Sequence, residues 1–232
     1  MLETRPDHRL RAAPQSDYAD PARLEAELAG LYDTEWVVLT RGGAIPEAGD
    51  FATGRVGRRP VVAIRQKDGS VRAFANVCLH RYARLLDGCG NARRITCPYH
   101  AWTYDISGQL IGIADREGFA ALDHRRPSLQ ELACEEFLGF VFVSLRRDLP
   151  LVRERLADLA GYLAVHRIDA FEDRHVVEGE VWHGNWKAVF ENFIESYHTT
   201  YAHKGSIGPT NPTRLAERGP SKEHDHFSIH SN

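Results

Sequence analysis

The stretch VCLHRYARLLDGCGNARRITCPYH, residues 77–100, contains three of the four cysteines of the chain. Two of these cysteines are closely followed by a histidine, since Cys78 precedes His80 and Cys97 precedes His100. The first pair has C-x-H spacing and the second has C-x-x-H spacing, and both pairs are expected at the tips of β turns. Thiolate and neutral imidazole are strong ligands for metals, so these residues predict a metal centre held by two loops.

Two kinds of centre use two cysteines and two histidines, namely a single zinc ion and a [2Fe–2S] cluster. Zinc fingers usually pair cysteine with cysteine and histidine with histidine, with two or more residues between the partners. Here each loop supplies one residue of each type, and the first pair has only one residue between its members. This arrangement favours the two-iron cluster, because each loop then gives one ligand to each iron. A structural zinc site is the alternative.

The segment CPYHAWTYDISGQL, residues 97–110, resembles the second cluster loop of Rieske iron–sulfur domains in oxygenases, and the resemblance covers roughly residues 36–145. It implies that all four motif residues are ligands of a [2Fe–2S] cluster. The family often has glycine where this chain has Tyr82, two residues after the first histidine. Respiratory Rieske proteins carry an extra disulfide, whose cysteines would fall at Ala83 and Tyr99, so that subtype is disfavoured.

Composition excludes several other classes of protein. The chain has 232 residues, 43% hydrophobic and 26% charged, which suits one large or two small globular domains. Its net charge of −3 gives no basic surface for nucleic acid, and no apolar run approaches the ~20 residues of a membrane span. The N-terminus has no apolar segment of a secretory signal. Four cysteines suit a reducing cytoplasm, with Cys89 and Cys134 expected to be free thiols.

The hydrophobic pattern predicts an α+β chain with a small antiparallel all-β domain followed by the start of an α+β catalytic domain. Strands are predicted at WVVLT, RPVVAIR, VRAFANV, WTYD, QLIGI and GFVFVSL, with a hairpin turn at KDGS. Helices are predicted after Asp20 and in the segment 150–167, and a strand is predicted at 175–182. The predicted domains are an N-terminal helical segment 1–35, a cluster domain 36–148, and the first part of a catalytic domain 149–232.

A second motif lies in NWKAVFENFIESYHTTYAH, residues 185–203, where a helix is predicted to run to about residue 202. Its aromatic residues are expected to form a stripe facing the core, while Glu191, Glu195 and His198 lie together on another face. His203 is too far around a regular helix to join His198, unless the helix ends or distorts after Thr200. Without further information, a helix with an ordinary polar face explains this pattern equally well.

The pattern E-x-x-H-x-x-x-x-H nevertheless resembles the mononuclear iron motif of Rieske-type ring-hydroxylating oxygenase large subunits. The resemblance implies that His198 and His203 are two ligands of a non-haem Fe(II). It also implies that Glu195 is the bridging acid, often aspartate in the family, that links an iron ligand to a Rieske histidine of the neighbouring subunit. The family's third, carboxylate ligand lies far downstream and has no match here, so we expect this chain to be the N-terminal portion of a longer protein.

The resemblance implies an oxygenase that hydroxylates, dihydroxylates or demethylates a small organic substrate, expected to be aromatic, with O₂. Electrons would come from NAD(P)H through a separate ferredoxin or flavin reductase, and the subunits would form a head-to-tail homotrimer. The alternative from a different class is a stand-alone Rieske electron-transfer protein. The sequence does not distinguish aromatic acids from quaternary amines as substrates.

Overall fold

The structure is a computed structural model that describes residues 14–115, 117–119, 127–170, 182–193, 198–210, 222–223 and 228–229. The chain divides into two compact units, of which one comprises Met1–Glu27 with Val177–Asn232 and the other comprises Leu28–Val176. The domain boundaries after residues 35 and 148 stay predictions. None of the helices in the described part of the chain is long and apolar enough to cross a membrane.

The larger unit is built on antiparallel β-sheets, as predicted. Seven strands form one sheet in the order β1-β10-β9-β4-β3-β2-β5, and three form a second sheet in the order β6-β7-β8. The strands are β1 Val37–Arg41, β2 Asp50–Val56, β3 Arg59–Arg65, β4 Val71–Ala75, β5 Cys89–Asn91, β6 Arg94–Thr96, β7 Thr103–Asp105, β8 Leu110–Gly112, β9 Glu131–Phe137 and β10 Phe140–Ser144.

Strand β3 is apolar from Pro60 to Ile64, because its central residues are buried on both faces. Val62 and Ile64 point into one core, which also contains Cys78 and Cys97. Residues of the opposite parity, such as Val61, point into a second core beside β10. The two predicted ligand cysteines are therefore part of the packed interior of the sheet.

Strands β2 and β9 are not expected from the sequence pattern. Strand β9, ELACEEF, contains three glutamates and has no clear alternation of apolar and polar residues. Two of them are used inside the fold, since Glu135 accepts hydrogen bonds from the backbone of Val152, and Glu136 pairs with the buried Arg65 at 2.6 Å. The charges of this strand therefore have partners that only the tertiary structure provides.

The larger unit also contains the helices that follow the sheet. They are α3 Val152–Arg155 and α4 Ala157–Leu163, which lie in the predicted helical segment. A π-helical turn, Leu28–Tyr32, precedes β1.

The smaller unit contains α1 Ser16–Ala19, α2 Pro21–Glu27, α5 Trp186–Phe193 and α6 Thr199–Ala202, with a short β11–β12 pair, Lys222–Glu223 and Ser228–Ile229. Asp20 caps α2 through a 2.8 Å bond from the Ala22 N–H, as the sequence predicts. The strand predicted at 175–182 falls almost entirely outside the described residues.

Candidate functional site: two loops and a histidine pair

The two predicted ligand loops, 78–83 and 97–102, have the same backbone geometry. The N–H of Cys78 donates to the carbonyl of Ala83 at 2.8 Å, and the N–H of Cys97 donates to the carbonyl of Trp102 at 2.8 Å. Each loop therefore begins at its cysteine and closes on itself five residues later. Loops closed in this way hold their side chains in place before any metal binds.

A second backbone bond tightens each loop. Tyr82 N–H donates to the Cys78 carbonyl at 2.9 Å, and Ala101 N–H donates to the Cys97 carbonyl at 3.0 Å. Tyr82 and Ala101 have φ angles of 55° and 56°, in the left-handed region that favours glycine. This geometry explains why glycine suits the position in the family, and it means that Tyr82 is strained here.

The loops place the cysteines inside and the histidines towards the surface. Cys78 and Cys97 are 1% and 3% exposed, whereas His80 and His100 are half-buried. The two imidazole rings lie close together, with centroids 4.6 Å apart. The structure thus brings all four predicted ligand residues into one region.

Two aromatic residues hold the ring of His80. Trp102 stacks on it in parallel, with centroids 5.0 Å apart and an interplanar angle of 8°, and Phe119 meets it edge-on at 5.6 Å. Burial lowers the pKa of His80, and the nearby His100 and Arg81 lower it further, so the imidazole stays neutral at pH 7. A neutral imidazole is the form that binds a metal.

A tyrosine hydroxyl lies beside the first cysteine. The hydroxyl oxygen of Tyr104 is 3.3 Å from Cys78 Sγ and accepts the N–H of Leu79 at 3.1 Å. Burial, followed by the contact with Cys78, raises the pKa of Tyr104, so the hydroxyl keeps its proton. Either atom can be the donor in this contact, but a metal-bound Cys78 thiolate has no proton, so the donor is then the Tyr104 hydroxyl.

These residues fit a two-iron cluster better than a single zinc ion. The buried Nδ1 of His80 has no hydrogen-bond partner, as expected of a nitrogen that faces a metal. The two cysteines lie in the core and the two histidines towards the surface, so each iron of a two-iron cluster can take two ligands of one type.

The other two cysteines do not join this site. Cys89 is exposed, Cys134 is half-buried in β9, and neither forms a disulfide. Burial, with a smaller contribution from Glu136, raises the pKa of the Cys134 thiol to about 12, which keeps it protonated and unreactive.

The second predicted pair, His198 and His203, lies at the two ends of α6. The helix ends at Ala202, and His203 follows it with φ −109° and ψ 35°. The two imidazole rings are 5.2 Å apart between centroids, close enough for both to reach one metal ion. The backbone of His203, just past the helix, is no longer helical, and its ring lies beside that of His198. Glu195, the predicted bridging acid, lies outside the described residues.

Gly208 packs directly against this histidine pair. Its N–H donates to the carbonyl of His203 at 2.9 Å. A Cβ at this position would lie 2.6 Å from that carbonyl oxygen and 2.9 Å from the carbonyl oxygen of Thr199. The approach therefore requires glycine, although the surrounding sequence has no clear period that predicts it.

Two family models match the chain. The Rieske [2Fe-2S] domain matches residues 35–123, and the ring hydroxylating alpha subunit (catalytic domain) matches residues 166–232. The chain belongs to the Rieske oxygenase alpha subunits. The predicted α+β fold, with an antiparallel Rieske domain first, is confirmed.

Individual relatives agree with this family. The chain is 34% identical to the glycine betaine monooxygenase oxygenase subunit of Chromohalobacter salexigens, over 85% of this chain and 43% of that protein. It is 30% identical to the toluate 1,2-dioxygenase subunit alpha of Pseudomonas putida, over 87% of this chain and 46% of that protein. The chain thus spans about half the length of the curated relatives it matches.

Solved structures show the same likeness. A complex of the quaternary ammonium Rieske monooxygenase CntA with an inhibitor superimposes with a TM-score of 0.79 at 29% identity, covering 92% of this chain and 59% of that one. A second CntA structure, described as giving insight into carnitine oxidation and inter-subunit electron transfer, has a TM-score of 0.72 at 29% identity, covering 90% and 57%.

Three residues that support the cluster site are absent from the sequence prediction. Trp102 and Tyr104 occur inside the quoted motif, and their alternate positions before and within β7 were an available signal that both face the core. Phe119 lies beyond the motif, in a segment with no regular period, so only the tertiary structure reveals its contact with His80.

Proposed function

We propose that this chain forms part of a Rieske non-haem iron oxygenase, with Cys78, His80, Cys97 and His100 as ligands of the [2Fe–2S] cluster. His198 and His203 are two ligands of the mononuclear Fe(II). The observation that carries this proposal is the second histidine pair, because it lies in the region that matches the catalytic domain and its rings approach to 5.2 Å. A stand-alone electron-transfer protein does not require a second metal site, and so does not require this histidine pair.

Each residue of the cluster site has a physical role in this function. The buried cysteines would supply thiolates from the core and the half-buried histidines would supply imidazoles at the surface, the side on which a bound cluster would exchange electrons. Trp102 and Phe119 fix the orientation of His80. The hydroxyl of Tyr104 donates towards Cys78 and disperses charge on the sulfur, which stabilises the reduced cluster.

The second site supplies the oxygen chemistry. His198 and His203 would hold Fe(II) through two imidazoles from the ends of one short helix. The bound ion would supply the activation of O₂ for reaction with a nearby organic substrate. In this proposal Glu195 links the two centres across neighbouring subunits of a head-to-tail homotrimer, and the description of CntA in terms of inter-subunit electron transfer supports such an assembly.

The partners follow from the need for electrons. The cluster would be reduced by a ferredoxin or flavin reductase that uses NAD(P)H, in the cytoplasm. The relatives act on glycine betaine, carnitine and toluate, so the candidate substrates are small carboxylates that bear either a quaternary ammonium group or an aromatic ring. The reaction is a hydroxylation, a dihydroxylation or a demethylation of such a molecule.

The deciding experiment is iron and acid-labile sulfide analysis of anaerobically purified chain reconstituted with Fe(II). The cluster alone gives about two irons and two sulfides per chain, and the oxygenase gives a third iron without further sulfide. His198→Ala should remove only the third iron. Equal iron and sulfide in the wild-type chain would favour the stand-alone electron-transfer protein, and zinc without sulfide would contradict both functions.

Activity is tested next, by O₂ uptake with an added reductase and each candidate substrate in turn. In the full-length protein, Glu195→Ala should still allow reduction of the cluster but should uncouple its oxidation from product formation. Unchanged turnover in that variant would refute the bridging role.

A further inference from the structure

The N-terminal helices α1 and α2 make a set of polar contacts with the start of α5, more than 150 residues later in the chain. We name this set the N-terminal clamp. It comprises Tyr18 and Glu27 on the N-terminal side, and Asn185, Trp186, Lys187 and Glu191 on the α5 side. All six residues belong to the same compact unit.

Glu27 makes the strongest contacts of the clamp. Its carboxylate accepts from Lys187 Nζ at 2.7 Å on both oxygens and from Trp186 Nε1 at 3.0 Å. The side chains of Glu27 and Lys187 are only 14% and 17% exposed, so the pair is shielded from water. The hydrogen bond from Lys187 lowers the pKa of Glu27, which keeps the carboxylate charged at neutral pH.

Two further contacts fix the position of α5. Asn185 accepts the N–H of Lys187 at 3.0 Å, which caps the helix, and its amide donates to the carbonyl of Tyr18 at 3.1 Å. One turn later, the hydroxyl of Tyr18 donates to the carboxylate of Glu191 at 2.9 Å. The clamp thus holds both the beginning and the middle of the helix.

Helix α5 needs this support, because apolar packing does not provide it within the described residues. The sequence predicts an aromatic stripe facing the core, yet Phe190 and Phe193 are 57% and 72% exposed. The helix has only eight residues, fewer than the ~12–15 that an isolated helix needs to be marginally stable. Among the described residues, its polar contacts with α1 and α2 therefore hold it in place.

We propose that Glu27 is a positioning residue for the iron-binding histidines, acting through α5. The inference rests on the proposed function, since it takes His198 and His203 as iron ligands. His198 lies five residues after the end of α5, so a shift of that helix displaces the start of α6. Metal ligands must be held within roughly 0.5 Å of their productive positions, so loss of the clamp weakens iron binding at this site alone.

The test is an anaerobic titration of the cluster-loaded chain with Fe(II), followed by the electron paramagnetic resonance signal of the nitric oxide complex at the third iron. Glu27→Gln keeps the size of the side chain and removes its charge, and it should weaken Fe(II) binding about tenfold and change the rhombicity of the signal. The signal of the reduced cluster, in the other unit, should be unchanged and provides an internal reference.

Two variants complete the test. Glu47→Gln, at an exposed glutamate of the other unit, is the control for the loss of one carboxylate charge and should bind Fe(II) as the wild type does. The double variant Glu27→Lys with Lys187→Glu restores an opposite-charge pair, so it should recover most of the affinity even if Glu27→Gln folds poorly. Unchanged binding in Glu27→Gln, or no recovery in a folded double variant, would overturn the positioning role. A wild-type chain without a third iron would instead refute the proposed second site.

Discussion

The two candidate metal sites differ in where their rigidity comes from. In the cluster site, each loop closes through two backbone hydrogen bonds within six residues, and both cysteines are almost fully buried. In the histidine site, a four-residue helix separates His198 from His203, and the preceding helix exposes two of its aromatic residues. The first site is organised by local sequence and a packed core, whereas the second depends on contacts from residues distant in the chain.

This difference predicts different responses to substitution. Changes at the exposed positions of the loops should alter the cluster with little effect elsewhere, because each loop closes through its own backbone hydrogen bonds. Changes far from His198 and His203 should still affect the histidine site, because its neighbours hold it in place. The following substitutions test this contrast.

Replacement of a ligand should have the largest effect. Cys97→Ser is expected to abolish the cluster, so that acid-labile sulfide falls from about two per chain to none. The visible absorption of the protein would disappear with it. Cys89→Ser, at an exposed cysteine in the same segment, is the control and should retain the cluster. Retention of sulfide in Cys97→Ser would show that Cys97 is not a ligand.

The second prediction concerns the sheet that supports the loops. Arg65 is buried and donates to the carbonyls of Ile45, Gly69 and Gly42, and to the carboxylate of Glu136. Arg65→Met leaves these acceptors without a partner, so we expect a loss of about 3 kcal/mol in the free energy of unfolding. Chemical denaturation followed by circular dichroism measures it.

The control for this change is Arg55→Met, at an exposed arginine that donates to a single carbonyl. It should cost less than about 0.5 kcal/mol. A similar small cost for Arg65→Met would mean that its buried hydrogen bonds do not stabilise the sheet.

The third prediction tests whether Gly208, which lies against the backbone of His203, is needed for iron binding at the histidine site. Gly208→Ala places a methyl group 2.6 Å from the His203 carbonyl oxygen, which must move. We expect Fe(II) affinity at the third iron to fall at least about tenfold, with the cluster unaffected. Gly205→Ala has no atom within 4 Å of the new methyl group and should bind Fe(II) normally. Equal affinities for the two variants would contradict the close approach.

The fourth prediction concerns the electronic properties of the cluster. Tyr104→Phe removes the hydroxyl that lies 3.3 Å from Cys78 Sγ, while the ring still fills the core. A lost hydrogen bond of about 1 kcal/mol lowers the reduction potential by about 40–50 mV for a one-electron centre. Potentiometric titration measures the shift. The exposed Tyr82 supplies the control, since Tyr82→Phe should leave the potential unchanged.

The smallest effect is expected from relief of backbone strain. Tyr82 adopts φ 55°, and its side chain is 76% exposed, so little packing is lost when it is replaced. Tyr82→Gly should raise the free energy of unfolding by about 0.5–1 kcal/mol, because glycine adopts this conformation without steric cost. A decrease in stability would indicate that the tyrosine side chain makes contacts that outweigh the strain.

Much of the cluster region follows from sequence, because its determinants are local. The C-x-H and C-x-x-H spacings predict the paired loops, and the hairpin between β3 and β4 forms at the predicted turn, with Gly69 at φ 85°. Strand β9 is not predicted, because three glutamates in seven residues are typical of an exposed segment. Only the structure shows that two of them pair with Arg65 and with the backbone of Val152. A metal-ligand motif occupies a few consecutive residues and can be recognised in the sequence. An ion pair between residues far apart in the chain has no sequence pattern that predicts it.

By itself, the sequence determined the family, the identity of six candidate metal ligands and the α+β class, since each depends on residue types at short spacings. The tertiary structure alone decided that the rings of His203 and His198 approach to 5.2 Å and that Tyr104 lies against Cys78. It also decided that Glu27 contacts Lys187 across 160 residues. These contacts depend on how distant segments pack. The free energy of that packing comes from many residues across the fold, so no single short motif predicts it.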